Sequence, residues 1–127
     1  MNEREFKRRT KNLALRVIRL IKALEALPYN LTARVISKQL VRSATSVGAN
    51  YRSACRAKST AYIIAKLSLV EEEADESLFW MELIVESGLL PQERLTELMS
   101  ETNGILAMTV ASIKTLRMKS QRPKSKI

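Results

Sequence analysis

The sequence predicts an all-α fold, an antiparallel up-down-up-down bundle of four helices that forms one domain over residues 1–127. Apolar residues recur at steps of three and four along most of the chain, which is the spacing of one helix face. Short segments that contain Pro or Gly separate four such stretches, and short connections favour antiparallel neighbours. A chain of 127 residues is large enough for one hydrophobic core and too short for two.

The first helix is predicted to follow, or to include, a basic amino-terminal arm of about residues 1–11. Phe6 in this arm is in phase with the apolar residues that come after it. Pro28 disfavours helical geometry in the residue before it and therefore ends the helix. Thr32 is then expected to cap the second helix. The apolar face of the first helix comprises Leu13, Val17, Leu20, Ile21, Leu24 and Leu27.

The second helix, from about Ala33 to Ala57, carries a stripe of cations nearly opposite its apolar face. Gly48, Ala49 and Asn50 lie in the middle of this helix, where Gly costs about 1 kcal/mol relative to Ala. Close approach of another backbone, or a kink, usually offsets such a cost, so we expect these three residues to have a helix-packing role. The cations of the stripe are Arg34, Lys38, Arg42, Arg52 and Arg56.

The third helix, from about Thr60 to Ser87, has two apolar seams. A helix with a single core-facing stripe needs only one of them, so the second seam predicts burial against another subunit. The first seam comprises Ile63, Leu67, Val70, Ala74, Leu78, Met81 and Val85, and the second, the predicted oligomer interface, comprises Tyr62, Leu69, Trp80 and Ile84.

The fourth helix is predicted from the region after Pro91 to about Met118. Gly88 ends the third helix as a carboxy-terminal cap, and Pro91 is suited to precede or begin the next helix. The remaining tail, about residues 119–127, is short and basic, and we expect it to be flexible.

Enzymatic chemistry has little support in the sequence. The chain has no His and a single Cys55, so neither Cys-His catalysis nor an intramolecular disulfide is available. Glu72 and Glu76 are one helical turn apart, but a di-metal bundle site also requires inward-facing Glu-x-x-His pairs. We therefore expect no enzyme activity, no metal and no cofactor. Neither a signal peptide nor a long apolar run is present, which predicts a cytoplasmic protein without membrane contact.

The charge pattern predicts a nucleic-acid partner. The formal net charge is +9, and this excess cannot be neutralised by the protein's own acids. The stripe on the second helix, together with Arg8 and Arg9 in the arm and the basic tail, is suited to binding the phosphates of RNA or DNA. Because aromatic residues are not interleaved with these cations, we expect recognition of backbone and shape and no base stacking. The alternative is that the charged faces serve assembly and docking onto a protein.

Two long segments also resemble a known family. QLVRSATSVGANYRSA (Gln39 to Ala54) and KLSLVEEEADESLFWMEL (Lys66 to Leu83) are similar to four-helix-bundle proteins first noticed in intervening sequences of bacterial 23S ribosomal RNA genes. That family is related to the accessory variability determinants of diversity-generating retroelements. The resemblance implies a homopentamer of antiparallel bundles. In its retroelement branch it implies binding to a reverse transcriptase and its RNA during mutagenic retrohoming.

Overall fold

Four long helices and one short 3-10 turn build the protein. The computed structural model describes residues 2–121, and within that range it contains no strand. The helices are α1 (Glu3–Glu25), α2 (Leu31–Arg56), α3 (Thr60–Glu86) and α4 (Thr96–Ser120), and the 3-10 turn Gln92–Arg94 precedes α4. The predicted all-α class with four helices is confirmed. The predicted flexible tail lies mostly outside the described residues, and its first two residues belong to α4.

The amino-terminal arm is helical from its third residue. Asn2 is the N-cap of α1, and its side-chain oxygen accepts a hydrogen bond of 2.8 Å from the backbone N–H of Glu5. Glu3 and Glu5 lie in the first turn, where negative charge stabilises the helix dipole. The basic residues of the arm are therefore held at fixed positions around α1.

The cap of α2 differs from the prediction. Asn30, and not Thr32, is the N-cap, and its side chain accepts a hydrogen bond of 3.1 Å from the backbone N–H of Ala33. Asn is at least as good a cap as Thr, and with the cap at Asn30 the helix begins two residues earlier, at Leu31. Ser59 caps α3 in the same way, through the backbone N–H of Tyr62 at 3.2 Å.

Gly88 ends α3 as predicted. Its φ of 77° is in the left-handed region, where Gly carries no penalty from a Cβ atom. The backbone N–H of Gly88 donates to the carbonyl of Val85, and that of Leu89 donates to the carbonyl of Ile84, each at 3.1 Å. This pair of bonds is a Schellman motif, which satisfies carbonyls that the end of the helix leaves without partners.

Contacts connect α1 with α2, α2 with α3, and α1 with α4. Thr10, early in α1, lies against Gly48, late in α2. The hydroxyls of Ser43 and Ser77 meet at 2.9 Å in the buried interface between α2 and α3. Arg9 of α1 reaches Glu101 of α4, which closes the bundle on its fourth side.

The core runs along the whole bundle. A large cluster of buried residues draws on all four helices, and a smaller cluster of Ala54, Leu67 and Ile113 lies at the end where α2 meets α3. Each fully buried aliphatic side chain contributes about 1.5–3 kcal/mol relative to an exposed one. The largest apolar side chains with 0% exposure are Leu13, Leu40, Met81, Ile84, Leu95, Ile105, Val17, Val47 and Val70.

Gly48, Ala49 and Asn50, the predicted helix-packing residues of α2, have different surroundings. Gly48 faces α1, and a Cβ atom built there would meet the backbone oxygen of Thr10 at 3.4 Å. Ala49 is exposed and does not pack against another helix in this structure. Asn50 is half-buried, and its side-chain amide donates to the carbonyl of Ser46 in its own helix at 2.9 Å. Of the three residues, Gly48 is therefore the one that lies against the backbone of α1.

Candidate nucleic-acid interface

Four of the five predicted cations of α2 face solvent together. Arg34, Lys38, Arg52 and Arg56 are exposed, and none of them has a carboxylate within 4 Å among residues 2–121. Arg34 and Arg56, the two ends of this row, are about six helical turns apart, which is about 33 Å along the helix axis. A row of this length presents unpaired positive charge to a partner with several regularly spaced anions.

Cations from α1 extend this row into a groove. The space between α1 and α2 is a surface depression of about 610 Å³. Lys7, Arg8, Lys11 and Arg52 line it, and Thr10, Ala14, Thr45, Gly48 and Ala49 complete it. We call this space the basic groove. Lys7 also contacts Glu3 at 3.5 Å, but both side chains are well exposed, and such pairs are weak.

Sequence reasoning missed Lys7 and Lys11. The stripe was found by plotting one helix, whereas the groove needs the cations of two helices that face the same gap. The signal that could have found them is the spacing Lys7, Lys11, Ala14, which follows one side of α1 at helical steps. Together with the exposed cations of α2, the groove forms what we call the basic face: Lys7, Arg8, Lys11, Arg34, Lys38, Arg52 and Arg56.

Arg42 does not belong to this face. Its guanidinium contacts two acids of α3, with Nη2 at 2.5 Å from Glu76 Oε2 and Nη1 at 3.7 Å from Glu73 Oε1. Arg42 is rotated from Arg34 and Arg52 toward α3, and the helix wheel alone did not reveal which neighbour stands on that side. The prediction that Arg42 is free to bind phosphate is corrected, because it joins α2 to α3.

Arg9 is likewise engaged inside the protomer. Its Nε and Nη2 donate to the two carboxylate oxygens of Glu101 at 3.0 and 2.6 Å, and its Nη1 lies 3.1 Å from the sulfur of Met108. Both members of the ion pair are about three-quarters buried. The hydrogen bonds to Glu101 raise the pKa of the Arg9 guanidinium. The prediction for Arg9 as a phosphate ligand is corrected, whereas the neighbouring Arg8 is exposed in the groove.

An aromatic side chain lies beside the cations after all. Tyr29, in the connection between α1 and α2, is 75% exposed, and the guanidinium of Arg34 lies 5.5 Å from the centre of its ring. The ring borders an open space of about 410 Å³, which we call the corner cavity. The expectation concerned aromatic residues interleaved with the cations, and Tyr29 was missed because it lies outside α2.

The predicted second seam of α3 is not one surface. Ile84 is fully buried in the protomer's own core and Trp80 is half-buried against it, so the prediction that Ile84 lies in an oligomer interface is corrected. Tyr62 and Leu69 remain exposed, by 53% and 38%. Phe79, which was not predicted, is 51% exposed and packs its ring edge to face with Trp80 at 5.0 Å.

The acids of α3 have two different surroundings. Glu73 is turned toward α2, and burial raises the pKa of its carboxyl, although the nearby Arg42 acts in the opposite direction. Glu72, Asp75, Glu82 and Glu86 face solvent. Within residues 2–121 no group of three or more His, Cys, Asp or Glu side chains is arranged to hold a metal ion.

The helices of the described chain differ from membrane-spanning helices. Between residues 2 and 121 none of them is both long enough and apolar enough to cross a lipid bilayer.

Comparisons with known proteins agree with the fold. The family model described as 23S rRNA-intervening sequence protein matches residues 3–111. A crystal structure of a protein of unknown function from the S23 ribosomal protein family of Bacteroides thetaiotaomicron VPI-5482 superimposes with a TM-score of 0.78 and is 31% identical. The match covers 86% of this chain and 98% of that one. Among curated proteins none matches this chain significantly. The chain therefore belongs to the 23S rRNA-intervening sequence protein family.

Proposed function

We propose that this protein binds structured nucleic acid, with RNA as the preferred partner, through the phosphates that contact its basic face. The observation that carries the proposal is the basic face, a set of seven exposed cations on α1 and α2, of which only Lys7 forms an ion pair within 4 Å among residues 2–121. Phosphate neutralisation releases condensed counterions, and this release provides most of the affinity of sequence-independent binding.

The shape of the basic face favours a helical nucleic acid. Its cations are fixed on two packed helices, so the protein loses little conformational freedom when it binds a rigid partner. The row on α2 is about 33 Å long, and a duplex presents many phosphates over such a length. A helix of RNA or a folded RNA with helical arms therefore fits the arrangement better than a single small anion.

The proposal is tested by fluorescence anisotropy at low salt with a labelled RNA hairpin and a matched duplex DNA. Substitution of Arg34, Lys38 and Arg52 by Ala is expected to weaken RNA binding by about 10-fold or more, since each lost phosphate contact removes part of the counterion release. Equal affinity of this variant and the unmodified protein would contradict the proposal.

The matched control removes the same amount of positive charge from a different side of the bundle. Arg16, Arg19 and Arg94 line a small depression between α1 and the start of α4, away from the basic groove. Their substitution by Ala also lowers the net charge by three, but it is expected to change the affinity far less. If both triple variants lose affinity equally, binding depends on overall charge and not on the basic face.

A narrower version of the proposal concerns a retroelement. The resemblance noted in the sequence implies that the RNA is accompanied by a reverse transcriptase, which the protein assists during mutagenic retrohoming. A polymerase gene beside the gene for this protein, and co-purification of the two products with RNA, would support this version. Binding of RNA without any such polymerase would leave only the general function.

A second candidate function is assembly and protein docking. Tyr62, Leu69 and Phe79 are large, exposed and confined to an arc of about 100° on α3. We propose that this arc contacts another copy of the chain, and the number five is what the resemblance implies. Leu69→Glu is expected to lower the mass measured by light scattering, whereas an unchanged mass would contradict this interface. Trp80 is unsuitable for the test because it packs against the core.

A further inference from the structure

We infer that the corner cavity is a binding site for one unpaired nucleotide of the RNA, whose base stacks on Tyr29 while its phosphate contacts Arg34 and Lys38. The inference rests on the proposed function and extends it, because a phosphate track alone does not distinguish a continuous duplex from one with an unpaired base. It names the feature of the RNA that the protein reads.

The position of the Tyr29 ring is the first argument. Three-quarters of this side chain is exposed, in the connection between α1 and α2. The guanidinium of Arg34 lies over the ring at 5.5 Å from its centre, a cation–π contact that favours this position of the ring. An exposed aromatic ring beside cations that bind the backbone is a surface on which nucleic-acid bases stack.

The lining of the cavity is the second argument. Leu24, Leu27, Pro28 and Ala33 contribute apolar atoms, and the cavity has a volume of about 410 Å³, within the usual range for small-ligand sites. Such walls suit the flat, largely apolar surface of a base. Glu25 is the one acid among the residues that line the cavity, and its carboxylate is a hydrogen-bond acceptor for an exocyclic amino group of the base.

The charge at the rim is the third argument. Arg34 and Lys38 line the same cavity, and both belong to the basic face. A nucleic-acid strand that follows α2 toward its amino-terminal end therefore reaches the cavity with its phosphates already bound. A base released from the stack at that point has the Tyr29 ring within reach, whereas a paired base remains inside the duplex.

The test compares two labelled RNA hairpins whose strands are joined by a non-nucleotide linker in place of a loop and that differ only in a short bulge of unpaired adenines. The unmodified protein is expected to bind the bulged hairpin more tightly than the perfect one. Tyr29→Ala is expected to weaken binding to the bulged hairpin by about 5- to 100-fold, the usual effect of removing one stacking partner, and to leave the perfect hairpin unaffected. Tyr29→Phe retains the ring and is expected to retain the preference.

Leu31 offers a matched control. It is a large side chain, 65% exposed and two residues from Tyr29, but it is not among the residues that line the corner cavity. Leu31→Ala is expected to preserve the preference for the bulge. Equal binding of both hairpins by the unmodified protein, or an equal loss of both in Tyr29→Ala, would overturn the inference while leaving the proposed function intact. Failure of both hairpins to bind at low salt would overturn the two together.

Discussion

Two adjacent arginines illustrate how one step along a helix changes the role of a side chain. Arg8 is exposed in the basic groove, whereas Arg9, rotated by about 100°, forms the ion pair with Glu101 of α4. Arg9→Ala leaves Glu101 without its partner in a largely buried place. It is therefore expected to lower the free energy of unfolding by about 1–3 kcal/mol.

The neighbouring substitution provides the control for this prediction. Arg8→Ala is expected to change the free energy of unfolding by less than about 0.5 kcal/mol, because no packed partner is lost, and to reduce the salt dependence of RNA binding by about one unit of slope. Urea unfolding and anisotropy of the same two variants measure both effects. A loss of stability in Arg8→Ala together with a reduced salt dependence in Arg9→Ala would show that Arg9, and not Arg8, faces the nucleic acid.

Gly48 gives a second prediction for a single residue. An added Cβ atom would lie 3.4 Å from the backbone oxygen of Thr10, which is ordinary van der Waals contact. Gly48→Ala is therefore expected to stabilise the protein by up to about 1 kcal/mol through helix propensity. Gly48→Leu has no room against α1 and is expected to destabilise it by about 1–3 kcal/mol. Thermal unfolding that shows similar losses for both variants would mean that α1 lies closer than the structure places it.

At the scale of elements, the acids between α2 and α3 predict a dependence on pH. Burial raises the pKa of Glu73, and one of its carboxylate oxygens is buried without a hydrogen-bond partner among the described residues. A carboxyl with a higher pKa in the folded than in the unfolded state costs stability when it is ionised. This cost is present above the folded pKa and disappears as the pH falls below the ordinary glutamate value of about 4.3.

Glu73→Gln is therefore expected to raise the free energy of unfolding at neutral pH, and the gain is expected to shrink as the pH falls toward the glutamate range. Glu76→Gln serves as the control from the same helix face. It removes the charge-assisted hydrogen bond to Arg42 and is expected to destabilise the protein at neutral pH. Urea unfolding of both variants across this pH range measures the difference. A loss of stability in Glu73→Gln at neutral pH would show that its attraction to Arg42 outweighs its burial.

For the whole molecule, local rules predicted the order and type of the four helices. Gly88 and Pro91 were recognised because their backbone constraints act where they occur in the sequence. The apolar spacing of α1 was sufficient to identify its buried face, since a single helix needs no neighbour to define its own periodicity. The cap at Asn30 was missed because Thr32 and Asn30 are both good caps, and the chain has a choice between them.

The candidate site could be predicted only in part. A helix wheel gives the direction in which a side chain points, but it does not identify the neighbouring helix or the residues that the side chain contacts. Arg42 and Arg34 belong to the same cationic stripe in the sequence, yet only Arg42 meets acids of α3. Ile84 lies outside the first apolar seam of α3 in the sequence, but in the structure it belongs to the hydrophobic core. The groove and the corner cavity required the relative placement of α1 and α2, which only packing determines.

The central claim is that the basic face binds phosphates, and the salt dependence of RNA binding tests it most directly. The logarithm of the association constant for a structured RNA is measured against the logarithm of salt concentration, for the unmodified protein and the Arg34/Lys38/Arg52→Ala variant. A slope of about −4 to −6, which becomes less steep by about 2 to 3 in the variant, is predicted from the number of cations on the face. A slope near zero, or the same slope in both proteins, would contradict the claim.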